Sequence, residues 1–483
     1  MPLTRVQTRT LWKGVQFVAA FMLVPGHSSV VGLETREMIM PQSDLQRKIV
    51  ESIDEMRNEI VDTVSRLVRI RSVNPGYPGT NYDEELGGET EANKFLAEMY
   101  RQMDLEVDQW EEEKGRRNLA GLWCGSGGGR SLLHNGHIDT VPLGQVDAWK
   151  SGDPLSGKIH QGRIYGRGSC DMKGPVVAQM FAIGALQRAG VRLAGDVTLS
   201  STVGEENMDS ARIGAGSMVK HGHSADAAVV SEPSAPPHPL AVVPVSPGLW
   251  WVSVTVEGKA SHAATRGETI RAGGLGSAVA VNAIDKGVLM INAIRQLEEE
   301  WGLTKTHPLF KAGHFTLLPG VISGAPHGVQ VPFFISDHCT IEYCIWHHPE
   351  EDPEQVKQEI NRHVRHAAQM DPWLREHPPQ LDWKVHWPPF SLDTEHPICQ
   401  ALANAHEKAA VGSKFEGPAR QAAFYAVCDA AFLQRDGVPS VVYGPGSLLV
   451  AHAADEYVEI EELITATKTY ALLTLDWCGQ GDP

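Results

Sequence analysis

Between residues 45 and 70, apolar side chains return every three or four positions (Ile53, Met56, Ile60, Val64, Leu67, Val68) among charged ones. That spacing predicts an amphipathic helix from Leu45 to Ile70. A turn-rich stretch with Pro75, Gly76, Pro78 and Gly79 follows, then a second helix over about 89–103. Residues 119–123 and 131–133 read as strands around the glycine-rich turn 125–129. Next come an alanine-rich helix (176–189) and strands at 196–202 and 225–230. Strands alternating with helices predict an α/β fold whose mainly parallel sheet carries helices on both faces.

At Trp250 the pattern changes. WWVSVTV (250–256) alternates strictly, so Trp250 and Trp251 point to opposite faces of a strand. Helices at 278–299 and 353–370 and strands at 314–318, 339–345 and 383–387 complete a β-α-β-β-α-β order, the ferredoxin-like split unit. The α/β pattern resumes with a helix at 396–410, a strand at 440–443 and a closing helix at 461–477. The predicted organisation is an N-terminal extension (1–46), one α/β domain in two parts (47–247 and 390–483), and a ferredoxin-like α+β domain inserted at 248–389.

The chain's 483 residues suit roughly two to three domains. Its 42 Lys and Arg against 59 Asp and Glu give a net charge of −17, which argues against a nucleic-acid surface and against attraction to an anionic membrane. Seven cysteines, an odd number without a CxxC pair, suggest neither a disulfide framework nor a cysteine zinc site, so reduced thiols in the cytoplasm are the expectation. Twenty-one histidines are the first hint of metal chemistry. Near the N-terminus, Arg5, Arg9 and Lys13 precede an apolar run from Val15 to Val24. This run is too short to span a membrane. It reads as an upstream extension, with an export signal or a disordered tail as the alternatives.

Five segments carry candidate chemistry. LLHNGHID (132–139) runs an apolar strand into His137 and Asp139, which period two places on one face at the strand's end. Alone, this pair also fits a structural hydrogen bond. YGRGSCDMKG (165–174) sets Asp171 in a glycine-flanked loop before a helix, where an N-cap is the alternative reading. Glu205 and Glu206 follow the strand at 196–202; in extended backbone they would point to opposite sides, one toward a metal and one toward water. Adjacent acids otherwise mark a solvated turn. Glu232 ends another apolar strand, and His452 is presented by small residues after the turn at 444–446. Open α/β sheets bind ligands at the carboxyl ends of their strands. Together His137, Asp171, Glu206, Glu232 and His452 form an N/O donor set suited to zinc, cobalt or manganese, able to hold two divalent ions if one carboxylate bridges.

With these motifs assembled, residues 47–480 resemble the dinuclear zinc amidohydrolase and exopeptidase family of acetylornithine deacetylase, succinyl-diaminopimelate desuccinylase, aminoacylase and carboxypeptidase G. The motifs are GHIDTVP (136–142), YGRGSCDMKG (165–174), GEEN (204–207), SEPS (231–234), GKASHA (258–263) and GPG…AHAADE (444–456). WLREHPP (373–379) points to the deacetylase branch. The resemblance implies that Asp171 bridges two ions, with His137 and Glu232 completing one site and Glu206 and His452 the other. It implies that Asp139 orients His137 and that Glu205 is the general base. It further implies that the inserted domain is a dimerisation domain or lid whose His262 reaches the partner's active site in a homodimer.

Two departures from the family pattern bear on the substrate. Trp346 stands where members carry a carboxylate-binding Arg, and the turn 323–330 has no Asn. An aromatic or heterocyclic amide, as in the N-formyl-aminopyrimidine deformylases of this family, becomes plausible, with Arg266, Arg271 and Gly446 as further candidate substrate contacts. The reaction implied is metal-assisted hydrolysis of a small N-acyl amide. A metallo-exopeptidase on the same scaffold is the nearest alternative, and a non-catalytic binding protein a remote one.

Overall fold

The computed structural model describes residues 43–233, 239–326, 329 and 331–481; the apolar run at 15–24 and the rest of the N-terminal extension up to residue 42 lie outside them. Eight strands form the larger sheet, in the order Glu106–Glu113, Arg116–Trp123, Val197–Thr202, Leu132–His137, Ala227–Val230, Ser440–Val442, Val242–Val245 and Gln421–Ala423. The four in the middle, from Val197–Thr202 to Ser440–Val442, run parallel, so their carboxyl ends share one edge of the sheet. The central strands Leu132–His137 and Ala227–Val230 feed two cores by simple alternation. Leu132, Ala227 and Val229 pack under the helices Lys173–Arg188, Pro397–Ala409 and Ile460–Cys478. Leu133, Ala228 and Val230 pack on the other face with Phe432, Leu433 and Trp387. An α/β sheet covered on both faces is therefore what the chain forms.

The structure alters several sequence expectations in ways that have physical causes. The helix expected over 45–70 is two, Asp44–Glu55 and Arg57–Val68, divided at Met56, whose ψ of −1° departs from helical backbone geometry. Glu106–Glu113 (EVDQWEEE) was not anticipated as a strand, since only Trp110 on it is buried. Its charges suit an edge, where acidic side chains discourage pairing with another chain. The strand expected at 314–318 lies instead at Leu317–Ser323.

The second sheet has the order Leu317–Ser323, His338–His347, Gly248–Glu257, Gln380–Trp387, all antiparallel. Gly248–Glu257 and His338–His347, the first and third of these strands along the chain, are central, as the split β-α-β unit requires. Trp250, Val252, Val254 and Val256 point to one face and pack against the helices Ala283–Thr304 and Pro353–Gln369. Trp251 turns to the opposite face, where its indole N–H donates to Glu342 Oε2 at 2.7 Å. Among the described residues no helix is long and apolar enough to cross a membrane.

Candidate active site

Four of the five candidate donors stand just beyond the carboxyl ends of the parallel strands. His137 ends Leu132–His137, Glu206 follows Val197–Thr202, Glu232 follows Ala227–Val230, and His452 lies on the loop after Ser440–Val442. Asp171 comes from the glycine-flanked loop ahead of Lys173–Arg188. It does not cap that helix: Met172 occupies the N-cap and no side chain caps it. The Asp171 carboxylate points instead between the two imidazoles. Oδ1 lies 3.1 Å from His137 Nε2 and Oδ2 lies 3.3 Å from His452 Nε2. Glu232 Oε1 is 3.6 Å from His137 Nε2, and Glu206 Oε2 is 3.1 Å from His452 Nε2. Asp171 thus stands between a His137–Glu232 pair and a His452–Glu206 pair. Donor atoms of His137, Asp171 and Glu206 all lie within 4.8 Å of one another.

The surroundings fix these side chains. His137 Nδ1 faces the backbone carbonyl of Asp139 at 2.9 Å, which turns Nε2 toward the carboxylates. The Asp139 carboxylate is 3.7 Å from that ring. Its oxygens accept instead from Asn74 Nδ2 at 2.7 Å and from the Glu205 and Glu206 N–H groups at 3.4 and 3.0 Å. Asp139 therefore holds His137 through its main chain and the Glu205–Glu206 segment through its side chain. That segment is a turn rather than extended backbone. Gly204 has φ +83°, and the Met208 and Asp209 N–H groups close the turn on the Glu205 and Gly204 carbonyls.

The electrostatics describe a site in want of positive charge. Burial raises Glu232, Glu205 and Glu206 above the ordinary carboxylate range; the Asp171 charge raises Glu232 and Glu206 further, and the Glu232 and Glu206 charges raise Glu205. Burial works against the charge of Asp171, and partial desolvation against that of His452, whose ring is about half exposed. Even so, the two imidazoles hold Asp171 well below the usual range, and the Asp171 and Glu206 carboxylates lift His452 to about 12. One oxygen, Glu206 Oε1, is buried with no hydrogen-bond partner. A buried acceptor left unpaired costs about 1–3 kcal/mol, more when charged. Imidazole nitrogens and carboxylate oxygens are the donors divalent ions take, so the residues present fit such ions.

Other candidates lie apart from this cluster. His262 is exposed on the two-residue strand Ser261–His262, and its Nδ1 accepts the Ala264 N–H at 3.1 Å. Arg266 pairs with Asp285 at 2.5 Å and Arg271 with Glu268 at 2.5 Å, both at the surface. Trp346 is half-buried on His338–His347, opposite Leu249. Gly446 is at the site's margin: its φ is +104°, and a Cβ there would come within 2.5 Å of Cys170 Sγ.

Sequence reasoning passed over two buried carboxylates. Asp429 accepts from Thr202 Oγ1 at 3.1 Å and Ser210 Oγ at 2.5 Å, and burial raises it to about 6. Glu456 accepts the N–H groups of Cys170 and Asp171 at 3.0 and 3.2 Å. Asp429 sits in no pattern that marks it, and Glu456 ends the AHAADE run without a role that spacing assigns; only the tertiary fold shows their partners at the site.

N-formyl-4-amino-5-aminomethyl-2-methylpyrimidine deformylase of Halalkalibacterium halodurans is 30% identical over 443 residues, covering 89% of this chain and 97% of its own. A probable succinyl-diaminopimelate desuccinylase of Staphylococcus epidermidis is 24% identical over 412 residues, covering 79% of this chain and 91% of its own. Among solved structures, a dinuclear metal binding peptidase of the M20 family from Bacillus subtilis shares the fold with a TM-score of 0.58 at 14% identity, covering 88% of this chain and 99% of that one. The family model for peptidase family M20/M25/M40 matches residues 133–476, which include every donor around Asp171. On that match and the full-length deformylase relative, this chain belongs to peptidase family M20/M25/M40.

Proposed function

We propose that this chain hydrolyses a small N-acyl amide at a site holding two divalent ions, with Glu205 moving the proton. The observation that carries this reading is Asp171 standing between His137–Glu232 and His452–Glu206. His137 and Glu232 would hold one ion, His452 and Glu206 the other, and Asp171 both. The mixed imidazole and carboxylate set suits zinc first, then cobalt or manganese. When bound, paired ions activate a water and polarise the amide carbonyl. Glu205 is half-buried beside them, and among the described residues its carboxylate takes no hydrogen-bond or ion-pair partner. Burial and the neighbouring acids raise its proton affinity, as a general base needs. It takes the proton of the attacking water and returns it to the leaving amine.

The acyl group is small. The two relatives act by name on an N-formyl aminopyrimidine and on a succinyl diamino acid. No Arg occupies the Trp346 position, which favours an uncharged heterocyclic amine over an amino acid carboxylate.

Residues 248–389 serve in this proposal as lid and dimerisation domain. Leu317–Ser323 is an edge strand that exposes Leu318, Val321 and Ile322. Two copies meeting there would bury this apolar row, and His262 would act in the partner's site. Seven free thiols suit the reducing cytoplasm.

A panel of N-formyl, N-acetyl and N-succinyl amides, with dipeptides beside them, tests the activity with and without added zinc. Zinc-dependent release of amine from at least one acyl amide is the expected result. Cleavage of dipeptides alone by the metal-loaded protein would overturn it.

A further inference from the structure

Two metal-ligand candidates, Asp171 and His452, come from loops far apart in sequence, and both are irregular. Asp171 lies in a turn between Arg163–Tyr165 and Lys173–Arg188, and His452 has φ +61° in a loop without helix or strand. Neither backbone is held by a sheet ladder. What joins them is a buried ion pair. Glu456, 0% exposed, receives the N–H groups of both Cys170 and Asp171 on Oε1, at 3.0 and 3.2 Å. Its other oxygen takes Nη1 of Arg167, itself 2% exposed. Nη2 of Arg167 reaches the His452 carbonyl at 3.4 Å. The Gly166 N–H donates to the Glu456 carbonyl at 2.9 Å, closing the connection along the main chain.

We propose that the Arg167–Glu456 pair is a positioning clamp that sets Asp171 against His452, so that the shared carboxylate and the second imidazole arrive at metal-binding separation already assembled. This rests on the two-ion reading of the site. The Glu456 carboxylate is an acceptor for two consecutive backbone donors, so it fixes the direction of the Asp171 peptide rather than of a single side chain. Arg167 supplies the counter-charge that makes a carboxylate admissible so close to the Asp171 one, and its planar fork spans Glu456 and the His452 carbonyl at once. Neither residue touches substrate or the reacting atoms.

Outer partners of metal ligands change metal affinity by about 10–100-fold when removed. The test is Glu456→Gln, which keeps the shape and one acceptor oxygen but loses the charge that holds Arg167. Zinc affinity is read by competition with a chromophoric chelator, with folding checked by circular dichroism. Zinc should bind about 10–100-fold more weakly at both positions, since Asp171 serves both, with kcat falling and KM nearly unchanged. Glu459→Gln, three residues on in the same segment and paired with surface cations, should leave zinc affinity unchanged. If Glu456→Gln does not fold, Arg167→Lys reads the same quantity, because it keeps the charge and loses the fork. A folded variant that binds zinc as tightly as the parent would overturn the clamp. A parent protein that binds no divalent ion would instead overturn the two-ion reading beneath it.

Discussion

Replacing Gly446 with alanine should damage catalysis by moving Asp171, although residue 446 holds no metal and no proton. A Cβ at 446 would lie 2.5 Å from Cys170 Sγ and 3.3 Å from Pro233 Cβ, where ordinary contact begins at 3.4 Å. The sulfur must retreat by about 0.9 Å to reach ordinary contact. Cys170 is fully buried, and Asp171 is the next residue. A misplacement of about 1 Å can cost on the order of 100-fold in rate. The φ of +104° adds backbone strain of about 1–2 kcal/mol for a residue with a side chain, and the overpacking a further ~1–3 kcal/mol. Gly446→Ala should therefore lose about 2–5 kcal/mol by denaturant titration and about two orders of magnitude in kcat with zinc saturating. Cys170→Ala removes the obstructing sulfur, so the double variant should regain much of the rate, with a coupling energy above ~1 kcal/mol in the cycle. If the two effects simply add, or if Gly446→Ala keeps kcat within about twofold of the parent, the steric route to Asp171 is wrong.

Glu205→Gln should retain its zinc by elemental analysis while activity falls about 10²–10⁴-fold; a variant with half the parent's kcat would place the base elsewhere. Burial pushes the His134 imidazole down to about 3 from 6.5. The unfolded chain is protonated first as pH falls, so the stability tied to neutral His134 is complete above 6.5 and lost toward pH 3, by up to about 5 kcal/mol. His134→Gln should flatten the stability-against-pH slope over that window in denaturant titrations; an unchanged slope would refute it. Mixing His262→Ala with Glu205→Gln chains should restore up to one working site per heterodimer. Proven subunit exchange without recovered activity would remove His262 from the partner's site.

How much of this was legible in the sequence depended on distance along the chain. Apolar runs ending in His137, Glu206 and Glu232 announce their own strand ends, and the strict alternation from Trp250 to Val256 announces a half-covered sheet. The order of the inserted unit was readable for the same reason, because each of its elements carries its own period. Glu106–Glu113 was not, since an edge strand needs few apolar positions and this one has a single buried side chain. The role of Asp139 was half legible. Its spacing from His137 suggested a carboxylate–imidazole contact, whereas the carboxylate is taken by Asn74 and by the turn it organises. Asp429 was invisible, and Arg167 and Glu456 stood inside quoted motifs without a legible role, because a buried polar group is recognised by its partners, and theirs lie hundreds of residues away.

The central claim is that Asp171 is shared by two ions, and metal stoichiometry of paired variants measures it most directly. Zinc-reconstituted parent protein should carry about two ions per chain. Glu232→Ala and Glu206→Ala should each weaken chiefly one of them. Asp171→Ala, with folding verified, should weaken both together. Two tightly bound ions in Asp171→Ala, or the loss of only one, would contradict the account.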